Sequence, residues 1–134
     1  MLASVMGTKI ISHRGRTSKN SEDNSLQAVD DAIDLGVDMV EVDVRRTKDS
    51  QIICFHDLEI GGIPIANLNY SEIIEMNSQI PTLEQVLWLA KDKIEIDVEL
   101  KESGYERDVI TMVLDYFDYD DFTMKSFNLD AVKA

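Results

Sequence analysis

The stretch from Met39 to Asp57, MVEVDVRRTKDSQIICFHD, constrains the fold more than any other. Val40, Val42 and Val44 alternate with Glu41, Asp43 and Arg45, and alternation with period two marks a strand with one apolar and one polar face. Residues i and i+2 on one face lie about 6.6 Å apart, so Glu41 and Asp43 can share a divalent cation. Lys48 to Gln51 is a polar turn, and Ile52 to Phe55 is a second β-rich run. A hairpin through that turn returns His56 to the two carboxylates. Two acids and an imidazole then surround one point.

The flanking segments supply strands and helices in alternation. Lys9 to His13 reads as a short strand. Asn24 or Ser25 caps a helix to about Leu35 with the stripe Leu26, Val29, Ala32 and Ile33, and Gly36 stops it. A loop containing Gly61 and Gly62 leads to a short helical piece near Ser71 to Met76. Thr82 and Gln85 form a capping box for a helix whose stripe is Leu83, Val86, Leu87 and Ala90. From Lys93 to Lys101 the alternation returns, with Ile94, Ile96, Val98 and Leu100 opposite Glu95, Asp97, Glu99 and Lys101. A helix from Tyr105 to Phe117, a strand from Phe122 to Phe127 and the first turns of a helix from Asn128 follow. Trp88 and the six methionines read as core.

Strands with one polar and one apolar face, alternating with helices, predict an α/β fold of the TIM-type (β/α) barrel, with helices over the apolar outside and chemistry at the C-terminal strand ends. Four barrel strands and a hairpin arm are present, against eight strands and roughly 250 residues in a closed barrel. The expectation is a single domain over 1–134 that forms the first half of a barrel, with a short insertion at about 58–80. An open sheet has unpaired edges, so Lys9–His13 and Phe122–Phe127 should each lack one neighbour. Self-association, or pairing with a C-terminal half, is expected to cover them.

A formal net charge of -13 from 26 acids excludes the basic stripe that a nucleic-acid partner requires. The single cysteine, Cys54, excludes an internal disulfide framework and fits a reducing cytoplasm. Between Ile53 and Phe55 it has a packing role. No apolar run approaches the ~20 residues of a membrane helix, and the N-terminus lacks a signal-peptide pattern. A cytoplasmic protein without a membrane span is expected.

The polar residues at the strand ends are His13, Arg14, Glu41, Asp43, His56, Glu99 and Lys101. Three carboxylates offer hard oxygen ligands suited to Mg²⁺ or Ca²⁺. Two histidines can serve as base and acid, and Arg14 and Lys101 can hold a phosphate. Such a set describes phosphoryl transfer or phosphodiester hydrolysis. Taken without their order along the chain, Glu41 and Asp43 would read as a solvated strand face. Glu95 and Asp97 read as structural, bonded to water or paired with Lys93 or Arg45.

His13-Arg14-Gly15, Glu41 with Asp43, Thr47-Lys48-Asp49 leading to His56-Asp57, Pro81 to Leu87, Glu99-Leu100-Lys101 and Ser126-Phe127 occur in one order that resembles the glycerophosphodiester phosphodiesterase family of phospholipase-C-like barrels. The resemblance runs from Lys9 to the last residue. It implies His13 and His56 as the catalytic pair, Glu41, Asp43 and Glu99 as ligands of a divalent metal, and Arg14 and Lys101 near the phosphate. The implied reaction hydrolyses glycerophosphodiesters to glycerol 3-phosphate and an alcohol. Where the family has Pro-Glu-Asn-Thr, this chain has Ser21 to Ser25 without proline, leaving Glu22 and Asp23 as alternatives for the counterpart acid. The segment between His56 and Pro81 is short for the family, and the family's later strands are absent. A competing class is therefore a catalytically incomplete fragment, or a non-enzymatic subunit offering an acidic metal-binding surface.

Overall fold

A computed structural model describes residues 3–6, 9–12 and 23–126 of the chain. Four strands run parallel in one sheet: β2 (Lys9–Ser12), β3 (Met39–Arg46), β7 (Glu95–Leu100) and β8 (Phe122–Ser126). Helix α1 (Leu26–Leu35) connects β2 to β3, α3 (Leu83–Ala90) precedes β7, and α4 (Glu106–Leu114) connects β7 to β8. β4 (Ile52–Cys54) folds back antiparallel on the upper end of β3, with Val44 opposite Cys54. Four parallel strands and a hairpin arm make this a partial (β/α) barrel.

The alternation in β3 and β7 separates two environments. Val40, Val42, Val44, Ile96, Val98 and Leu100 pack with Val29, Ala32, Leu83, Val86, Leu87, Val109 and Val113 of the helices. Full burial of each valine, leucine or isoleucine among them stabilises by roughly 1.5–3 kcal/mol. The opposite face carries Glu41, Asp43, Asp97 and Glu99, also buried.

Local sequence sets the helix ends. Ser25 is the N-cap of α1, its Oγ accepting the Ala28 amide at 3.1 Å, a contact that typically contributes about 1 kcal/mol. Gly36 ends the helix at φ 73°, a left-handed backbone that glycine adopts without a Cβ penalty. Thr82 and Gln85 form the reciprocal capping box that opens α3.

Residues 58–80 form a small annex. β5 (Glu59–Ile60) and β6 (Ile63–Pro64) pair antiparallel, a 3-10 turn follows at Ile65–Asn67, and α2 spans Tyr70–Met76. Ile65, Leu68, Ile73 and Ile80 bury against Ile53 of β4 as a second cluster. Asp49 Oδ1 accepts the Tyr70 amide at 3.0 Å, fastening the first turn of α2 to the β3–β4 turn.

Two expectations from the sequence do not hold. The outer edge of β2 is not open, because β1 (Ala3–Met6) pairs antiparallel along it, with Ala3 opposite Ser12 and Met6 opposite Lys9. An unpaired strand edge is satisfied by any extended segment of suitable length, and the residues before Lys9 supply one. Among the described residues β8 still has β7 as its one neighbour. Trp88 is not core either: it is 69% exposed, since Leu83, Val86, Leu87 and Ala90 already fill the buried stripe of α3. Its ring packs edge-on against Tyr116 with centroids 6.2 Å apart. Of the methionines, Met39 is buried while Met76 is 47% exposed. The helix expected from Asn128 and the strand end at Phe127 lie outside the described residues.

Candidate active site

Register across the parallel strands lines up the polar face in two rows. Glu41 stands opposite Asp97, which stands opposite Thr123; Asp43 stands opposite Glu99, which stands opposite Lys125. One carboxylate oxygen from each of Glu41, Asp43 and Glu99 lies within 4.8 Å of the others, and all three residues are buried. Carboxylates of alternate residues on one strand and of a residue on the next therefore face a common point. The donor set is entirely hard oxygen, without thiolate or imidazole, and fits Mg²⁺ or Ca²⁺ by ligand type.

Cations and amides surround these acids. Lys101 Nζ lies 3.5 Å from Asp43 Oδ1 and 3.3 Å from Glu99 Oε2, with its side chain 8% exposed. Asn24 accepts the Asp43 amide through Oδ1 at 2.9 Å and donates from Nδ2 to Asp43 Oδ2 at 3.2 Å. Burial alone would raise the Asp43 pKa. Hydrogen bonds with Glu99 and Asn24, together with the charges of Lys101 and His56, outweigh burial and hold it below the ordinary value. Glu99 moves the other way: burial and the hydrogen bond with Asp43 raise it, only partly opposed by Lys101.

His56 reaches this end of the sheet through the hairpin. The Phe55 amide donates to the Asp43 carbonyl at 2.9 Å, and Arg45 donates from its guanidinium to the His56 carbonyl at 2.7 Å. His56 Nδ1 lies 3.0 Å from Asp57 Oδ1. A carboxylate can only accept, so Nδ1 is the donor in this pair. His13 and Arg14 lie outside the described residues.

Asp97 and Arg45 have partners other than those expected. Asp97 pairs with Lys125 at 3.0 Å and accepts from Thr123 Oγ1 at 2.7 Å. Arg45 instead faces Glu102 at 3.6 Å. Lys125 Nζ also reaches Glu41 Oε2 at 3.0 Å, from a strand two removed in the sheet. Burial would lower its pKa, but Asp97 and Glu41 outweigh that and raise it. Asn24, Thr123 and Lys125 were not foreseen as site residues. For the last two a signal existed: in Phe122 to Ser126, Thr123 and Lys125 alternate with Phe122 and Met124.

The chain matches the family model described as "Glycerophosphoryl diester phosphodiesterase family" over residues 13–134. It is 30% identical over 145 aligned positions to the glycerophosphodiester phosphodiesterase of Caldanaerobacter subterraneus, covering 92% of this chain and 59% of that protein. Among solved structures, the glycerophosphodiester phosphodiesterase of Parabacteroides distasonis superposes with a TM-score of 0.81 at 31% identity, covering 92% of this chain and 58% of that one. The fold also matches, at 23% identity and a TM-score of 0.81, an Oleispira antarctica phosphodiesterase solved with sn-glycerol-3-phosphate. The chain therefore spans about three-fifths of the length of these relatives. The match over residues 13–134 and the shared barrel architecture make the chain a member of the glycerophosphoryl diester phosphodiesterase family.

Proposed function

We propose that the chain carries the metal-binding and acid/base half of a barrel that hydrolyses glycerophosphodiesters to glycerol 3-phosphate and an alcohol. The observation that carries this reading is the convergence of Glu41, Asp43 and Glu99 within 4.8 Å, beside Lys101. These three residues would hold one Mg²⁺ or Ca²⁺, which supplies charge neutralisation to the phosphate when bound. Lys101, and Arg14 two residues after β2 in the sequence, anchor the remaining phosphate oxygens. One of His13 and His56 removes the proton from the attacking oxygen, either water or the glycerol 2-hydroxyl, the latter giving a cyclic phosphate that water then opens to glycerol 3-phosphate. The other protonates the departing alcohol oxygen. Asp57 orients the His56 ring for either task. The alternative, an incomplete or non-catalytic metal-binding subunit, draws on the chain spanning three-fifths of its relatives. A second copy or a C-terminal half would complete the site by joining at β8.

A cytoplasmic location fits the lone thiol of Cys54. Among the described residues no helix is long and apolar enough to cross a membrane.

The deciding experiment measures glycerol 3-phosphate release from a panel of glycerophosphodiesters, with the chain alone and completed by a C-terminal half. Activity should vanish in chelator and return with Mg²⁺ or Ca²⁺. His13→Ala and His56→Ala should each lose on the order of 10²-fold in rate. Full turnover after exhaustive chelation, or near-normal turnover of both folded variants, would remove the proposed mechanism.

A further inference from the structure

Lys125 projects from β8 across β7 and binds two acids at once, Glu41 Oε2 and Asp97 Oδ2, each at 3.0 Å. Glu41 belongs to the carboxylate trio and Asp97 does not. The ammonium therefore ties a candidate ligand to a neighbour outside that trio, and β8 to β3. Lys101 provides the second cation, on Asp43 and Glu99. On this face Glu41, Asp43, Asp97 and Glu99 are all buried. Arg45 is already balanced by Glu102.

Resting on the metal-site reading above, we propose that Lys125 is a positioning residue that acts as a resident counter-cation. It holds Glu41 and, together with Lys101, sets the charge left for a bound metal to neutralise. Among the described residues, Lys125 and Lys101 each offset part of the negative charge that Glu41, Asp43, Asp97 and Glu99 gather on this face. A charge of opposite or like sign within a few ångströms changes ion affinity strongly in a partly desolvated site. Removing Lys125 should thus favour a trivalent ion over a divalent one. Neutralising Asp97 should do the reverse, although Asp97 is outside the trio.

The test uses the chain stripped of metal, with Ca²⁺ binding followed by calorimetry and Tb³⁺ binding by sensitised luminescence. The affinity ratio of Tb³⁺ to Ca²⁺ should rise about tenfold or more in Lys125→Gln and fall by a similar factor in Asp97→Asn. Lys125→Arg, which keeps the charge, should stay near the parent ratio. Circular dichroism checks that each variant is folded, and Asp97→Asn keeps the idea testable if Lys125→Gln is not. Ratios unchanged in folded variants, with the parent still binding Ca²⁺, would overturn the counter-cation role alone. Failure of the folded parent to bind either ion would overturn the metal site and this inference together.

Discussion

Asn24 grips Asp43 at two points, accepting its amide at 2.9 Å and donating to its Oδ2 at 3.2 Å. The residue is 1% exposed and adopts φ 63°, a left-handed conformation that asparagine tolerates better than most residues. The grip fixes the Asp43 carboxylate from outside the acidic trio. Under the proposed metal site, groups that orient ligands in this way typically account for 10–100-fold in affinity. Asn24→Ala should weaken Mg²⁺ or Ca²⁺ binding by about that factor, as measured by calorimetry. It should also lower the melting temperature, because the buried Asp43 amide loses its acceptor, a cost of about 1–3 kcal/mol. Unaltered metal affinity in the folded variant would show that Asp43 is positioned without Asn24.

Cys54 gives a pH signature. Its thiol is 1% exposed, and its pKa is pushed up first by burial and then by the Asp43 charge. In the unfolded chain the thiol ionises near pH 8.5, whereas in the fold it keeps its proton. Above about pH 8.5 the unfolded state therefore binds fewer protons than the folded state, and stability falls as pH rises, by up to about 1.4 kcal/mol per unit. Tyr70 and Tyr105, also raised by burial, add to this slope only above about pH 10. Chemical denaturation between pH 7 and 10 should show the decline, and Cys54→Val should flatten it below pH 10. The native thiol should resist Ellman's reagent and react once unfolded. Rapid reaction of the native chain would contradict the burial of β4.

The strands and helices that position the acids were legible because a single period controls each. Two-residue alternation in β3 and β7 fixes both which side chains face inward and that Glu41, Asp43 and Glu99 share a face. The hairpin to His56 follows from a polar turn between two β-rich runs. What could not be read is pairing across long separations. The partners of Asp97, Arg45 and Lys125 depend on register between strands, and no local pattern encodes that Lys125 reaches Glu41 across β7. β1 escaped for a different reason: Ala3 to Met6 is too short to show a period, and it pairs because an edge is available. Trp88 illustrates the limit of composition, since a large apolar residue lies outside a stripe that four smaller ones complete.

β1 covers the outer edge of β2, so one of the two exposed edges anticipated for a half barrel is already paired. Among the described residues, β8 remains beside β7 alone, presenting backbone donors and acceptors on its other side. Phe122 and Met124, packed against the core from this strand, are only partly covered. Pairing of β8 with a second copy or with the later strands of a complete barrel would satisfy both features. At micromolar concentration, size-exclusion chromatography with light scattering should give a species of at least about twice the 15.2 kDa chain mass, and the melting temperature should rise with concentration as mass action requires. Addition of a separately produced C-terminal half should shift the same peak to a one-to-one complex. A single species at the monomer mass, unfolding cooperatively and independently of concentration, would show that the capped half barrel stands alone and that β8 needs no partner.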